Sequence, residues 1–323
     1  MATYKEIKGT SIEVVSSDPS NPQLGQIWYN TTSQTLKGID LGSASWATGG
    51  NLGTARRQLG GAGTQTAGLA IGGDTDPGYS ALTEEYNGSS WTAGGALPVA
   101  KDIAGSCGTQ TAGLSFAGST GGGNVATTEE YDGSSWTGGG TMNTARIALG
   151  SCGTQTAGLG FGGPPSPSAT EEYDGSSWTN GGSLTDGRNQ TGGAGLQTAG
   201  LCFGGEDPSP TNATEEYDGS SWTNGGTLNT ARQILAGAGL QTAALATGGK
   251  ESPPTSQTGA TELYDGSSWT NTATASQAAA KLAAAGTTSA GLKFGGENPP
   301  STALSSTEEF NSFGPGTETI TTS

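Results

Sequence analysis

An all-β fold, a six-bladed β-propeller of four-stranded blades, is what this 323-residue sequence predicts, on three observations. A Tyr-Asx-Gly-Ser-Ser-Trp phrase recurs five times, beginning at Tyr86, Tyr131, Tyr173, Tyr217 and Tyr264, and a degenerate sixth Trp, Trp46, stands in Gly42-Ser43-Ala44-Ser45-Trp46. Successive Trp residues are 45, 45, 42, 44 and 47 positions apart, a period that belongs to blade-forming arrays. Each unit carries four short apolar bursts, the strand content of one blade. Composition alone points elsewhere: 59 Gly, 14 Pro and only 41 Leu, Ile, Val and Phe would suit a disordered chain. The period decides against that.

Within each unit the elements follow in order. Ten residues after Trp, a basic residue opens the first strand: Arg56, Lys101, Arg146, Arg188 and Arg232. In the last unit Lys281 comes at twelve, which predicts a connection two residues longer. The first strand runs through small residues, as in Gln58-Leu59-Gly60-Gly61-Ala62-Gly63, because innermost strands crowd the axis; it turns at Thr64-Gln65-Thr66. The second, Gly68-Leu69-Ala70-Ile71, ends at Gly72-Gly73, matched by Gly162-Gly163, Gly204-Gly205, Gly248-Gly249 and Gly295-Gly296, with Ala117-Gly118 in the second unit. The third alternates, Thr83-Glu84-Glu85-Tyr86, and an Asx-Gly reversal leads into the fourth, which carries Trp. Large aromatics are displaced outward between sheets, where seven Trp and eight Tyr offset the shortage of aliphatics. The last third strand, Thr307-Glu308-Glu309-Phe310, has no Trp after it, and Trp46 has no inner strands before it. Pairing the two closes the ring and removes an open seam.

This order of basic residue, Gly-Gly, Tyr-Asp and Trp resembles the kelch repeat over roughly residues 38–313, with more Gly, Thr and Ala than that repeat carries. Residues 1–37 lie outside it. Asp18-Pro19-Ser20-Asn21-Pro22 reads as a loop, and residues 25–37, from Gly25-Gln26-Ile27-Trp28-Tyr29-Asn30 to Leu36-Lys37, read as a hairpin that would serve equally as a cap on the array. Lys8-Gly9-Thr10-Ser11 followed by Gly-Gln-Ile-Trp-Tyr-Asn-Thr-Thr also resembles the opening of structural proteins of tailed bacteriophages, marine ones especially. That resemblance implies a virion attachment segment, residues 1–37, contacting other virion proteins through Ile27, Trp28, Tyr29 and Leu36, ahead of a displayed propeller, residues 38–323. The function expected is a non-enzymatic phage surface protein: a tail-fibre or receptor-binding appendage, or a capsid decoration. It would be made in the host cytoplasm, since Met1-Ala2-Thr3-Tyr4-Lys5-Glu6-Ile7 does not open like a secretory signal. The alternative is an intracellular kelch-type protein–protein interaction module.

Alternating strand direction divides the loops between two faces. Thr-Gln-Thr and Asp-Gly-Ser-Ser turns recur nearly unchanged on one; on the other, the second-to-third loops have 9, 9, 6, 8, 11 and 10 residues and differ in sequence. Loops on a rigid scaffold are where binding resides, so the candidate ligand-binding residues are Asp74, Asp76, Tyr79, Glu206, Asp207, Lys250, Glu251 and Glu297. Most are acidic, and the host cell-surface receptor expected there is neutral or cationic. A homo-oligomer is compatible with the sequence, although no coiled-coil heptad specifies one.

Other chemistries are disfavoured. There is no His, hence no Ser-His-Asp or Cys-His site and no His-ligated metal. Twelve Lys and Arg against 28 Asp and Glu, net charge −16, give no nucleic-acid footprint and no charge-driven membrane adhesion. The pairs Glu84-Glu85, Glu129-Glu130, Glu171-Glu172 and Glu215-Glu216 point to opposite faces of a strand and cannot converge on one bond. One Glu per blade is expected to pair with an opening basic residue. Asp132, Asp174, Asp218 and Asp265 precede Gly, the signature of a turn and not of a calcium loop. Cys107 and Cys152 stand where other units have Ala62, Ala194, Ala238 and Ala285, and read as small buried residues. No enzyme, cofactor or metal is expected.

Overall fold

Each repeat folds into one four-stranded antiparallel sheet. In the computed structural model, which describes residues 12–19, 27–41, 44–251, 256–312 and 315–319, the first sheet takes Gly60–Thr64, Ala67–Ile71, Thr83–Tyr86 and Trp91–Ala93 in that order. Four more sheets copy it, ending at Trp136–Gly138, Trp178–Asn180, Trp222–Asn224 and Trp269–Asn271. The sixth is assembled from both ends of the repeat region. Ala283–Gly286, Ala290–Phe294 and Thr307–Asn311 are completed by Ser45–Thr48, with Phe310 opposite Trp46 and Glu308 opposite Thr48. The architecture is all-β and propeller-like. No helix among the described residues is long and apolar enough to cross a membrane. The sequence readings at residues 8–11, 20–22, 25–26 and 252–254 lie outside the described residues.

Aromatic packing joins consecutive sheets. Trp91 sits 4.9 Å from the Tyr86 ring of its own sheet and 4.8 Å from Phe294 of the sixth. Its indole N–H donates to Thr307 Oγ1 at 2.9 Å. The same bond recurs from Trp136 to Thr83, Trp178 to Thr128, Trp222 to Thr170, Trp269 to Thr214 and Trp46 to Thr261, so each sheet grips the one before it. Close approach dictates glycine at Gly50, where a Cβ would stand 2.1 Å from the Ser89 carbonyl oxygen.

At the start of the first strands, the residues two places beyond the opening position form a cycle of backbone bonds. Gln58, Ile103, Ala148, Gln190, Ile234 and Lys281 all have left-handed backbone, φ 52–57°. Such conformations cost about 1–2 kcal/mol for a non-glycine residue. They are offset by backbone bonds in which Ile103 donates to Gln58, Ala148 to Ile103, Gln190 to Ala148, Ile234 to Gln190, Lys281 to Ile234 and Gln58 back to Lys281, at 2.7–3.2 Å.

That cycle corrects the reading of Lys281. It occupies the place of Gln58, and Ala279, ten residues after Trp269, takes the place of Arg56. Gly249 N–H donates to Ala279 O at 2.8 Å as Gly73 N–H does to Lys101 O at 2.9 Å. The last connection therefore carries no insertion. The missing cation arrives from another strand: Lys293 on Ala290–Phe294 meets Glu308 at 2.5 Å.

The chain divides into two compact units, Ser45–Asn311 and Met1–Ala44 with Ser312–Ser323. Residue 37, the boundary expected from sequence, lies inside the strand Thr35–Leu41. The smaller unit is a sheet in the order Glu13–Val15, Ile27–Asn30, Thr35–Leu41, Pro315–Thr319, whose first pair is parallel. Asn30 and Thr35 bound the hairpin, and Asn30 Oδ1 accepts from Thr32 and Ser33 N–H at 2.9 and 3.1 Å. Asp18 ties this unit together, accepting from Lys37, Asn30 and Trp28 at 2.7–3.0 Å. Those bonds hold its carboxyl down at about 2.

Candidate functional site

The repeated polar side chains are engaged in the scaffold. The first Glu of each third strand meets the opening cation of its own repeat: Arg56 with Glu84 at 2.8 Å, Lys101 with Glu129, Arg146 with Glu171 at 3.1 Å, Arg188 with Glu215, and Arg232 with Glu262 at 2.8 Å. All ten side chains are at most 8% exposed. Burial holds the Lys101 ammonium below its ordinary range despite Glu129. The second Glu looks the other way and accepts the Tyr hydroxyl of the following sheet: Tyr131 to Glu85 at 2.6 Å, Tyr173 to Glu130 at 2.5 Å, Tyr217 to Glu172, Tyr264 to Glu216 at 2.5 Å and Tyr86 to Glu309 at 2.6 Å. Sequence reasoning missed this contact, although a signal was there. Where the sixth sheet has Phe310, with no hydroxyl, the fifth has Leu263 and no second Glu.

The turn aspartates are equally engaged. Asp132 Oδ1 accepts from Ser134 and Ser135 N–H, both at 2.8 Å. Bonds of this kind from the two following serines hold Asp132, Asp174, Asp218 and Asp265 at about 2. Cys107, Cys152 and Cys202 are buried free thiols, and burial pushes Cys107 up to about 12 and Cys202 to about 11.

Non-repeated polar residues gather on the variable face, around a cavity of about 270 Å³ at the mouth of the inner-strand cycle. Its walls are Leu59, Ile103, Ile147, Leu149, Ile234 and Leu235, with Gln58, Asn189, Gln190 and Lys281 among its polar residues. Below it, residues from all six inner strands, mostly Gly, Ala and Ser, line two smaller spaces.

The candidate residues of the loops fall into three groups. Asp76, Tyr79 and Asp207 are exposed, and Asp76 borders a groove shared with Thr75, Ser301 and Thr302. Asp74, Glu206, Lys250 and Glu251 are half-buried. Asp74 bonds Arg57 at 2.9 Å and accepts from Asp76 N–H at 2.8 Å. Bridges pair Asp74 with Arg57 and Glu206 with Asn189, while Lys250–Glu251 lies against Arg232–Gln233. Glu297 corrects the sequence placement. Counted there among surface acids, it is 0% exposed, folded inward and met by Lys281 at 3.1 Å, Arg57 at 3.3 Å and Lys250 at 3.8 Å. Arg57, Asp102, Gln58 and Gln190 were not singled out from sequence. They occupy the two places after each opening residue, where the repeats stop agreeing.

Asp102 is 7% exposed, and its Oδ1 has no hydrogen-bond partner. Burial, then the Asp74 charge, raise its carboxyl to about 6. A raised acid lends stability below its unfolded value near 4 and loses that contribution as pH climbs through 6. Asp102→Asn is therefore expected to stabilise the protein at pH 8 by roughly 2 kcal/mol and to make no difference at pH 3.5. Urea titrations at the two pH values check this, and equal effects at both would refute it.

In the smaller unit, Trp28 is 0% exposed and bonded to Asp18, Ile27 and Leu36 are half-buried, and Tyr29 is 36% exposed. Ile12 and Val14, which the sequence reading passed over, are 39% and 65% exposed, and Val14 lies beside Tyr29 in the parallel pair. The alternation Ile12-Glu13-Val14 was the available signal.

No protein-family model matches the chain, and no curated protein matches it either.

Proposed function

We propose that the six sheets are the blades of a closed, kelch-like propeller, and that this propeller is a non-enzymatic recognition module carried on a tailed-phage particle. One observation carries the reading. The charged pairs, the Glu-bound Tyr hydroxyls and the turn aspartates that repeat from sheet to sheet are bonded within the scaffold, whereas non-repeating charged and amide side chains collect around one axial mouth and its loops. A scaffold holding six different loops on one face suits discrimination among ligands. Closure is supported by the pairing of Ser45–Thr48 with Thr307–Asn311 and by the six-membered cycle of backbone bonds. Attachment to other virion proteins is assigned to the smaller unit, where Ile12, Val14 and Tyr29 offer apolar surface; the phage context itself rests on the resemblance of residues 8–37. Tail-fibre, receptor-binding and head-decoration roles share this plan.

The expected result is that the chain is found by mass spectrometry at a fixed ratio to the major capsid protein in purified particles. Replacing loops 74–82, 206–213 and 250–260 with short Gly-Ser connectors is expected to lower host adsorption at least tenfold. Absence from particles would sink the virion role, and unchanged adsorption would remove the receptor-binding role.

A further inference from the structure

We propose that the cavity at the mouth of the inner-strand cycle is a socket for one large apolar side chain, carried on a protein loop with Lys or Arg beside it. This rests on the variable face being the recognition face. Branched aliphatic side chains line the cavity from every repeat but the fourth: Leu59, Ile103, Ile147, Leu149, Ile234 and Leu282. The three isoleucines stay half-buried, with apolar surface open to that space. Two of them are held there at a cost. Ile103 and Ile234 have φ 52° and 57°, left-handed backbone in which a β-branched residue is a rare exception. Other repeats put Gln58 and Gln190 at the same place in the cycle, so the fold does not call for isoleucine. Strain kept where a milder residue would serve points to use.

The polar groups around the cavity leave little for a polar ligand. Lys281 bonds Glu297 Oε2 at 3.1 Å and faces the Asp102 carboxylate as well. Asn189 donates to the Glu206 carbonyl at 3.5 Å, and Gln190 Oε1 is closed off from the space. At about 270 Å³ the cavity lies just below the usual range for small-molecule sites, which leaves room for a single side chain. Apolar burial is thus its main contribution to binding. The loops around it set the charge of whatever carries that side chain. Glu206, Asp207 and Glu251 have no ion pair among the described residues, and Asp76 reaches only Arg57, at 3.8 Å. Arg57 already serves Asp74 and Glu297. A rim of this kind steers a partner of opposite charge towards it. A second copy of the propeller is not that partner. Of the nine cations in Ser45–Asn311, six are buried against glutamates, and the other three, Arg57, Lys250 and Lys281, meet Glu297.

Methyl NMR of the full chain tests this with four probes: N-acetyl-Lys-Phe-Lys-amide, N-acetyl-Lys-Gly-Lys-amide, N-acetyl-Glu-Phe-Glu-amide and toluene. The first is expected to shift the Ile103, Ile147 and Ile234 methyls saturably, and the other three to bind at least tenfold more weakly. Ile103→Gln with Ile234→Gln, which repeats the choice made at Gln58 and Gln190 in the same backbone, is expected to weaken the first peptide at least tenfold. Asp76→Asn with Asp207→Asn is expected to weaken it several-fold. The wild-type shifts report the site even if a variant fails to fold. No saturable shift with the Lys-Phe-Lys peptide, or equal binding of the glycine peptide, overturns the inference. Equal binding of the glutamate peptide overturns the cationic partner, and equal binding of toluene assigns a small apolar ligand in place of a loop. Lower host adsorption on loop replacement without peptide binding would overturn this inference alone. Peptide binding with unchanged adsorption would remove only the receptor-binding role.

Discussion

Replacing Arg146 with Met is expected to destabilise the protein by about 3–5 kcal/mol, the cost of leaving a buried charge without its partner. Arg146 is 0% exposed; its guanidinium meets Glu171 at 3.1 Å and donates to the carbonyls of Gly162 and Ala169 at 2.9 and 2.8 Å. Met fills much of the same volume, so the loss is electrostatic and not a cavity. Glu171, 1% exposed, keeps only the Asn143 N–H at 2.7 Å and must protonate or draw in water. Adding Glu171→Leu removes the stranded carboxylate and is expected to recover more than half of the loss, because a buried pair exchanged for apolar residues is often nearly neutral. Denaturant titration of the two variants decides it: a single substitution costing under about 1 kcal/mol would show that the cation is not held as described.

The second large effect is expected at Trp46. Its indole N–H reaches Thr261 Oγ1 at 3.2 Å and Ala273 O at 3.0 Å, its ring lies 5.1 Å from Phe310, and Lys293 Nζ sits 5.8 Å above it. Among the described residues, the interface it holds, between the fifth and sixth sheets, lacks two bonds that recur at the other five. Leu263 and Phe310 stand there in place of the Glu–Tyr hydroxyl bond. Thr288 stands in place of the Gln that elsewhere bridges two carbonyls of the preceding sheet, as Gln110 does to Gly68 and Tyr86 at 3.0 and 2.7 Å. Trp46→Ala is expected to cost about 3 kcal/mol, at the lower end for a Trp truncation because the ring is half-buried. Trp46→Phe, which loses the N–H bonds and part of the ring but keeps an aromatic beside Phe310, is expected to cost less, about 1–2 kcal/mol. Hydrogen exchange should show protection falling first in Thr261–Tyr264 and Thr307–Asn311. Uniform loss around all six sheets would show that this interface is no weaker than the rest.

Much of this plan was legible in advance. Strand positions followed from local chemistry: period-two alternation at Thr83–Tyr86, Asx-Gly reversals before each Trp, and Gly or Ala where inner strands crowd together. The pairing of one Glu with an opening cation was legible because both residues repeat. Lys281 was misread because counting from Trp269 sees a basic residue two places late, and cannot see that Ala279 already holds the backbone position. Glu297 was misread because a residue after Gly-Gly in an irregular loop carries no local mark of burial.

Within the repeats the sequence by itself determined the four main strands, how they turn, and which two incomplete sets of strands must join, since each of these depends on residues within a few positions or on a repeating count; the strands Glu13–Val15 and Pro315–Thr319, which lie outside the repeat, it did not mark. Tertiary structure alone decided which charge faces which. Arg57 and Glu297 are 240 residues apart, and Trp46 and Thr261 are 215 apart. Lys293 replaces an arginine on a different strand, because a buried carboxylate such as Glu308 requires a cation within reach, whichever strand supplies it. The cavity at that cycle of backbone bonds is of the same kind: it exists only where six segments distant in the chain are brought together.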